Sequence, residues 1–402
     1  MLEGSRSEHS ACGVGFIASR TGTASRDILE DALHALKCVE HRGGCAADQV
    51  SSDGAGVMAD IPFEMLGYQP GDIAVASLFM PQDPDRLRRS MEIFESTLAF
   101  FDLDVLAYRE VPVDPSVLGE EARRSLPSMR QAVLRRPVQC RTDASFDKLL
   151  YSAKQVLRTK LVEQGIQNEF FFASLSARTI VYKALTRAAD LDRFYLDLQD
   201  PRFVTRFAMI HRRFSTNTRT SWDKAQPFRL IAHNGEINTI AGNRSRAISR
   251  EMSIGLKADQ LVTHGSISDS GSLNEIAEAL HYRSSIPHME DILAIMMPPA
   301  EGQSAFYTFW SRAMEPWDGP AFLVFSDGSS VGARLDRNGF RPARWAMTDD
   351  RFYLASEAGS FPVDEAAIRR KGILYAGTGV SLDLASGRVH FRDPGRSREH
   401  RD

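Results

Sequence analysis

The chain has 402 residues, of which 43% are hydrophobic and 25% are charged, a composition ordinary for a soluble globular protein. Forty-nine basic and 52 acidic side chains give a formal net charge of −3, so no charge excess points to nucleic acid or an anionic membrane as a partner. No apolar run reaches the length of about 18 residues that a membrane span needs, and the N-terminal stretch has no signal-peptide core. Four cysteines are too few for a disulfide framework, so we predict a cytoplasmic location.

Short runs of β-branched and aromatic residues, ended by Gly, Pro or Asp, predict strands in the first part of the chain. These runs cover residues 12–19, 55–62, 72–80 and 102–111. The longer run 168–185 is strand-like with a polar middle and predicts a hairpin. Runs 321–336 and 343–358 carry Asp-Gly and Asp-Asp turns between strand-like arms, and they predict two further hairpins.

Apolar residues recur at helical spacing in three segments that lie between these strands, residues 26–40, 146–163 and 272–282. This order of strands, helices and hairpins favours antiparallel sheets covered by helices over alternating parallel units. Cys38 and Cys45 flank a histidine, but no second close pair of ligands accompanies them. We therefore predict that both cysteines are packed in the interior and do not bind a metal.

Two apolar runs end in groups of polar residues. Residues 208–218, AMIHRRFSTNT, lead from a strand into Arg212 and Arg213, and residues 230–238, LIAHNGEIN, lead from a strand into Asn234 and Gly235. Turn and capping roles explain each motif taken alone. Together they fit an anion or oxyanion site, because an asparagine amide and a glycine N–H can direct two donors at one negative oxygen.

A third polar motif, SISDSGSLNE at residues 266–275, leads into a predicted helix. Asp269 or Ser270 can cap this helix, or Asp269 can bind the ammonium group of a ligand. In the second case Arg213 binds a carboxylate through its two-pronged guanidinium. This pair of anchors fits the α-groups of an amino acid, and it makes Cys12 a candidate for attack on that amino acid's side chain. The alternative for Cys12 is a small buried residue at the start of a strand.

The motifs resemble, in the same order, those of the glutamine amidotransferase domain of glutamate synthase, a class II amidotransferase with an N-terminal-nucleophile hydrolase fold. The matching strings are CGVGFIA, EHRGG, SDGAG, HRRFSTNT, AQPFRLIAHNGEINT, GNR, SDS, MMPP, EPWDGPA, LDRNGFRPAR and SEAG. The resemblance implies an α+β fold, a four-layer αββα sandwich with two stacked, largely antiparallel sheets between helices. It also implies a candidate propeptide at residues 1–11 and an amidotransferase domain at 12–385, while the polar composition of residues 386–402 predicts a tail.

The resemblance further implies a role for particular residues and a reaction. The free α-amine of the nucleophile takes the thiol proton, the thiolate attacks the side-chain carbonyl of L-glutamine, ammonia leaves, and water resolves the γ-glutamyl thioester. The residues concerned are Cys12 as the nucleophile exposed by removal of the leader, Arg42 as its support, Arg213 for the α-carboxylate, Asn234 and Gly235 as the oxyanion hole, and Asp269 for the α-amino group.

Enzymes of the family that this chain resembles carry FMN and an iron–sulfur cluster in a synthase portion. Nothing in residues 1–402 resembles either cofactor site, so we expect no cofactor in this chain and a synthase-like partner chain that holds both. The chain is then a stand-alone glutaminase subunit that passes ammonia to its partner. EPWDGPA at 315–321 and LDRNGFRPAR at 335–344 fit a docking surface, or a structural turn with an ion pair; their polar residues are Trp317, Asp318, Arg337 and Arg341.

Three other functions are compatible with parts of this pattern. One is a non-catalytic regulatory module with the same fold, another is a free-standing glutaminase, and the third is an N-terminal-nucleophile hydrolase that cleaves a different acyl amide. The intact catalytic positions argue against the regulatory module. The opposite charges of Arg213 and Asp269 argue against a substrate that is not an amino acid.

Overall fold

The computed structural model describes residues 12–44, 48, 50–213, 220–263, 267–299 and 305–392. The candidate propeptide and Cys45 lie outside the described residues. The strands are β1 (Gly13–Ser19), β2 (Ala55–Asp60), β3 (Ile73–Met80), β4 (Val105–Glu110), β5 (Ser128–Arg135), β6 (Phe171–Ser176), β7 (Thr179–Ala184), β8 (Phe207–Arg212), β9 (Ile231–Gly235), β10 (Ala321–Ser326), β11 (Ser330–Leu335), β12 (Arg344–Met347), β13 (Arg351–Ala355), β14 (Arg370–Ile373), β15 (Gly379–Asp383) and β16 (Val389–Arg392).

Helices alternate with groups of these strands. They are α1 (Arg26–Cys38), α2 (Phe63–Leu66), α3 (Pro84–Phe100), α4 (Glu120–Arg124), α5 (Asp143–Glu163), α6 (Leu191–Phe194), α7 (Ile240–Ser253), α8 (Asp269–Arg283), α9 (Met289–Met296) and α10 (Ala305–Ala313). The predicted helices in 26–40, 146–163 and 272–282 correspond to α1, α5 and α8 and are confirmed. The sequence did not predict α3, α7, α9 or α10.

Two antiparallel sheets pack face to face at the centre of the molecule. One has seven strands in the order β14-β12-β13-β1-β8-β2-β7, and the other has five in the order β16-β15-β11-β10-β9. Alternate residues of a strand point to opposite faces of its sheet. On the facing sides, Val14 and Phe16 of β1 share one core with Phe322 and Val324 of β10.

Helices cover the two outer faces of this pair of sheets. Against the seven-stranded sheet, α1 packs Leu29 onto Ile17 and Ile210. Against the five-stranded sheet, α8 and α9 pack Leu273 and Ile292 onto the outer face of β10. The layers therefore run helix, sheet, sheet, helix, which confirms the predicted αββα sandwich.

A further four-stranded sheet, in the order β4-β5-β3-β6, was not anticipated. One face of this sheet contributes Val75 to the core that α1 also lines. The other face packs against α3 and α5. The predicted hairpin over 168–185 is wrong, because β6 belongs to this sheet and β7 to the edge of the seven-stranded sheet. Side-chain oxygens replace the ladder between them: Ser174 Oγ accepts the N–H of Val181, and Ser176 Oγ that of Thr179.

The other two predicted hairpins are confirmed as β10–β11 and β12–β13. The sheet continues past the predicted domain boundary at residue 385, because β16 pairs with β15 within the segment assigned to the polar tail. The prediction that Cys38 is buried is wrong. Cys38 ends α1 on its exposed side, where its Sγ lies 3.4 Å from Nε2 of His34.

Candidate active site

Cys12 directly precedes β1, and its side chain is partly exposed. In the β1–β8 ladder, Val14 pairs with His211 and Gly13 pairs with Arg212. Extending the same register by one residue places Cys12 opposite Arg213. Residues directly opposite each other in antiparallel strands share a face of the sheet. Cys12 and Arg213 therefore lie together on the side that faces the five-stranded sheet, and the Arg213 guanidinium interacts electrostatically with the Cys12 thiolate.

Gly13 is required by a close packing contact behind the nucleophile. A Cβ at this position would lie 2.6 Å from Cβ of Val39, the residue that follows α1. No real pair of carbons tolerates that distance, so a glycine is needed for α1 to lie on β1. The short 3₁₀ helix Glu40–Arg42 begins at this contact and is thereby placed near the start of β1.

Arg42 is fixed by a partner that the sequence did not identify. Its Nε donates to Oε2 of Glu357 at 2.8 Å, and Nε2 of His41 lies 3.0 Å from the same oxygen. Glu357 follows β13, the strand paired with β1 on the side away from β8. The SEAG string contained this glutamate, but a pattern of residue types does not reveal which distant arginine it will meet.

The two neighbouring arginines after β8 have different environments. Arg212 is fully buried toward α1, where it donates to Glu40 Oε1 at 2.7 Å and also to Ser52 Oγ. Arg213 is on the opposite face; its backbone N–H donates to Gly54 O at 2.9 Å. Arg212 is therefore a structural residue, and only Arg213 faces the site.

Arg213 is 6% exposed and remains a cation in a nearly closed environment. Burial lowers the pKa of its guanidinium, and nearby negative charges, including those of Cys12 and Asp269, act in the opposite direction. A bound carboxylate would add two charge-assisted hydrogen bonds to such a group. The geometry suits the predicted role in binding an α-carboxylate.

Asn234 and Gly235 end β9 in the facing sheet. Asn234 is 1% exposed, and its Oδ1 has no hydrogen-bond partner among the described residues. The oxygen and nitrogen of an asparagine amide exchange places by rotation, so this position can equally present an N–H donor. Gly235 has φ +142°, and a Cβ there would lie 1.9 Å from Pro320 O. Only glycine fits, and its backbone can approach a ligand closely.

The EPWDGPA motif packs directly against the chain that follows Gly235. A Cβ on Gly319 would lie 2.1 Å from Glu236 O, and the N–H of Asn238 donates to Asp318 O at 3.0 Å. Asp318 also forms an ion pair with Arg337 at 2.9 Å. The structural alternative for these motifs is therefore confirmed at Asp318 and Arg337.

Two other residues of these motifs have similar structural contacts. Trp317 is fully buried, and its Nε1 donates to Glu315 Oε1 at 2.9 Å. Arg341 Nε donates to Pro320 O at 3.3 Å. These contacts hold the segment that limits the space beside Gly235.

Asp269 is the first residue of α8. The helix cap is Ser268, whose Oγ accepts the N–H of Gly271 at 3.0 Å, so neither Asp269 nor Ser270 is the cap. Asp269 Oδ1 instead accepts the N–H of Ser270 at 2.7 Å, and its Oδ2 lies 3.4 Å from the donor N of Ile237. A negative charge is favoured at this end of a helix because the backbone N–H groups point toward it.

The structure links Cys12, Arg213 and Asp269 of the predicted residues. Charge interactions link Arg213 to both Cys12 and Asp269, and Asn234 follows His233, which contacts α8. Arg42 is held behind β1 by its glutamate partner. Asp53, which accepts from Arg213 through its carbonyl at 3.5 Å, was missed although SDGAG was among the matching strings.

No cluster of His, Cys, Asp and Glu suited to a metal ion occurs within the described ranges. None of the helices that the structure describes is long and apolar enough to cross a membrane. The cytoplasmic location stays a prediction.

Comparison with known proteins identifies the family. The family model of the class II glutamine amidotransferases matches residues 12–394. The chain is 39% identical over 418 residues to ferredoxin-dependent glutamate synthase 2, chloroplastic, of Arabidopsis thaliana, covering 97% of this chain and 26% of that protein. It is 41% identical over 410 residues to ferredoxin-dependent glutamate synthase 2 of Synechocystis sp., covering 95% of this chain and 26% of that protein.

Among solved structures, the chain is similar to one described as the allosteric regulatory enzyme of purine biosynthesis, with a TM-score of 0.46 and 13% identity over 95% of this chain and 49% of the other. The family match covers nearly the whole chain, and the protein belongs to the class II glutamine amidotransferases. The family predicted from the motifs is thereby confirmed. The chain spans about a quarter of the length of the two glutamate synthases.

Proposed function

We propose that this chain is the glutaminase part of a glutamate synthase-type enzyme and hydrolyses L-glutamine to L-glutamate and ammonia. The observation that supports this most strongly is that the Arg213 guanidinium interacts electrostatically both with Cys12 and with Asp269, a group of opposite charge. Glutamine has an α-carboxylate and an α-ammonium group at one end and the reactive amide at the other. A site that binds the charged end and presents a thiol to the amide suits that substrate.

In the proposed reaction, removal of residues 1–11 gives Cys12 a free α-amine with an ordinary pKa of about 7.7–8.0. The amine accepts the thiol proton, and the thiolate sulfur attacks the side-chain carbonyl carbon of glutamine. The Asn234 amide and the Gly235 N–H donate to the oxygen that becomes negative. The protonated amine then gives its proton to the leaving nitrogen, and ammonia departs from the γ-glutamyl thioester.

Water completes the cycle. The Cys12 amine removes a proton from water, the resulting hydroxide attacks the thioester carbonyl carbon, and the carbon–sulfur bond breaks to release glutamate and the thiolate. Arg42 touches neither substrate nor sulfur in this reaction. We assign it a positioning role, because its ion pair with Glu357 connects the 3₁₀ helix behind β1 to the chain that follows β13.

We further propose that the ammonia is passed to a synthase portion, either in a partner chain or in the same polypeptide. The support is the identity to proteins named ferredoxin-dependent glutamate synthase, of which this chain spans about a quarter. The synthase portion would hold FMN and an iron–sulfur cluster, accept electrons from ferredoxin and combine ammonia with 2-oxoglutarate. This chain's own residues bind glutamine and release its amide nitrogen.

An assay with two substrates and a partner tests this function. The purified protein is expected to release ammonia from L-glutamine and not from N-acetyl-L-glutamine, because acetylation removes the charge that Asp269 binds. Addition of the synthase portion with 2-oxoglutarate and reduced ferredoxin should replace free ammonia by a second glutamate. Equal turnover of the acetylated amide would support a different acyl-amide hydrolase, and glutamine binding without turnover would support the regulatory module. Ammonia release that no synthase portion alters would support a free-standing glutaminase.

The oxyanion role of Asn234 predicts a specific kinetic change. Asn234→Ala is expected to lower kcat for glutamine by ~10²–10³ and to leave KM within a few-fold, since the lost donor acts mainly on the transition state. Steady-state kinetics of the purified variant would measure both constants. Asn238→Ala is the matched control, because Asn238 lies in the same motif with an exposed side chain. A rise in KM at unchanged kcat would contradict the role.

A further inference from the structure

A chain of buried hydrogen bonds joins the two facing sheets to the start of α8. His211 Nε2 lies 3.0 Å from His233 O, His233 Nδ1 lies 2.7 Å from Ser270 Oγ, and Ser270 Oγ lies 3.2 Å from Asp269 Oδ1. The two histidines and the serine are each at most 5% exposed. The predicted roles use none of these three residues, although the last of these bonds ends on the carboxylate assigned to the α-ammonium group.

The acceptors fix the direction of these bonds. An ionised carboxylate can only accept, so the Ser270 hydroxyl donates to Asp269, and Ser270 Oγ then accepts from Nδ1–H of His233. A carbonyl oxygen also only accepts, so His211 donates from Nε2. The remaining ring nitrogens, His211 Nδ1 and His233 Nε2, are buried and have no hydrogen-bond partner in the described part of the chain. Both positions suit the lone pair of a neutral imidazole.

The protonation states of His211 and His233 affect the proposed ammonium site at Asp269. Burial lowers the pKa of His211 to about 3 and also lowers the pKa of His233. A protonated His233 would compete with the substrate's ammonium for the charge of Asp269. In its neutral form it still donates from Nδ1, and it leaves the negative charge of the carboxylate for the ligand.

Ser270 places two donors on the same carboxylate oxygen. Its backbone N–H lies 2.7 Å from Asp269 Oδ1, and its hydroxyl lies 3.2 Å from that atom. Oδ2 has a longer bond, 3.4 Å from the N of Ile237. Holding Oδ1 from two directions fixes the rotation of the carboxylate, and Oδ2 is left with the greater capacity to accept from a ligand.

We infer that Ser270 and His233 are positioning residues, which orient the Asp269 carboxylate so that its Oδ2 receives the α-ammonium group of glutamine. This inference rests on the proposed function and deepens it by naming the residues that prepare the ammonium site. Neither residue touches the substrate or the reacting atoms. His233 acts through Ser270, and Ser270 acts through Asp269.

Other contacts already hold α8 against β9, so a purely structural role is not needed to explain these bonds. The N–H of Leu230 donates to Asn274 Oδ1 at 3.0 Å, one turn further along α8. Arg229 forms buried ion pairs with Glu275 and Glu278 of the same helix. Removal of one hydroxyl at Ser270 leaves all of these contacts in place.

The test measures binding in the full chain carrying Cys12→Ala, so that it does not depend on turnover. Ser270→Ala is expected to raise the Kd for L-glutamine by about tenfold or more, since a hydrogen bond to a charged group is lost. The Kd for glutaramate, which lacks the α-amino group, should change less than about twofold. Ser284→Ala is the matched control: it removes a partly buried hydroxyl at the other end of the same helix, where that hydroxyl donates to Leu280 O.

Conservative substitutions and a double mutant with Asp269→Asn distinguish a positioning role from a general loss of structure. Ser270→Thr and His233→Asn keep the hydroxyl and the Nδ1-like donor, and they should bind glutamine more tightly than Ser270→Ala and His233→Leu. Added to Asp269→Asn, Ser270→Ala should cause no further loss, because both act through one carboxylate.

Equal weakening of glutamine and glutaramate by Ser270→Ala, or no weakening of either, would overturn the inference while glutaminase activity of the wild-type chain still stood. A selective loss of glutamine binding in a chain whose wild type releases no ammonia would uphold the inference and overturn the proposed function. A Cys12→Ala chain with no affinity for glutamine would overturn both.

Discussion

Cys12→Ala is expected to abolish glutamine hydrolysis, with kcat lower by ~10⁴–10⁶, because loss of a nucleophile removes the covalent route altogether. Glutamine binding should persist, since the groups assigned to its charged end, Arg213 and Asp269, are unchanged. Ammonia release and calorimetric titration with glutamine would measure the two properties on the same preparation.

Cys38→Ala provides the matched control for this substitution. Cys38 is the last residue of α1, and its side chain is exposed, so its replacement should leave kcat and KM unchanged. Substantial hydrolysis by the Cys12→Ala chain would contradict the assignment of Cys12 as the nucleophile. So would loss of activity in the Cys38 variant alone.

Arg213→Met is expected to raise KM for glutamine by ~10²–10³, because an α-carboxylate would then enter a nearly closed site without its cationic partner. Arg213→Lys should recover little of this loss, since a point charge does not reproduce two parallel N–H donors. The measurement is a comparison of kcat/KM for glutamine and for 4-aminobutanamide, which keeps the amide and the amino group but lacks the α-carboxylate.

The wild-type chain should use 4-aminobutanamide poorly, and Arg213→Met should reduce that activity no further. Thermal unfolding of the variant provides the control for folding, since Arg213 is buried and its backbone N–H is bonded to Gly54. An equal loss for both substrates, together with a lower Tm, would mean that Arg213 supports the fold and does not read the ligand.

The pattern of the sequence was sufficient for the central layers of the fold. Strand-like runs and turn residues identified β1, β2 and the hairpins β10–β11 and β12–β13, because alternation and turn chemistry are local properties. It was not sufficient for the four-stranded sheet. β6 pairs with β3 and meets β7 through the hydroxyls of Ser174 and Ser176, and these are tertiary contacts that a local pattern does not encode.

For the site, too, the sequence identified some residues and missed others. The motifs named Cys12, Arg213 and Asp269, and the structure brings these three into one electrostatic neighbourhood although they are far apart in the chain. The partners that orient such groups were missed. Glu357 meets Arg42 across 315 positions, and Ser270 meets His233 across 37, and no local pattern encodes either contact.

Helix capping and side-chain exposure also needed the structure. Asp269 and Ser270 both have favourable cap chemistry, yet Ser268 holds the cap, and this leaves the Asp269 carboxylate available to a ligand. Cys38 lies on the outer side of α1, although Leu36 before it and Val39 after it are both buried in the core.

In the proposed reaction Cys12, as a free N-terminal residue, forms a γ-glutamyl thioester. Mass analysis of active protein, quenched in acid during turnover of L-glutamine and then digested, tests it most directly. We expect an N-terminal peptide that begins at Cys12, with the mass of one γ-glutamyl group attached, and no such adduct on the peptide containing Cys38. Full activity from a chain that retains residues 1–11, with no adduct on Cys12, would contradict it.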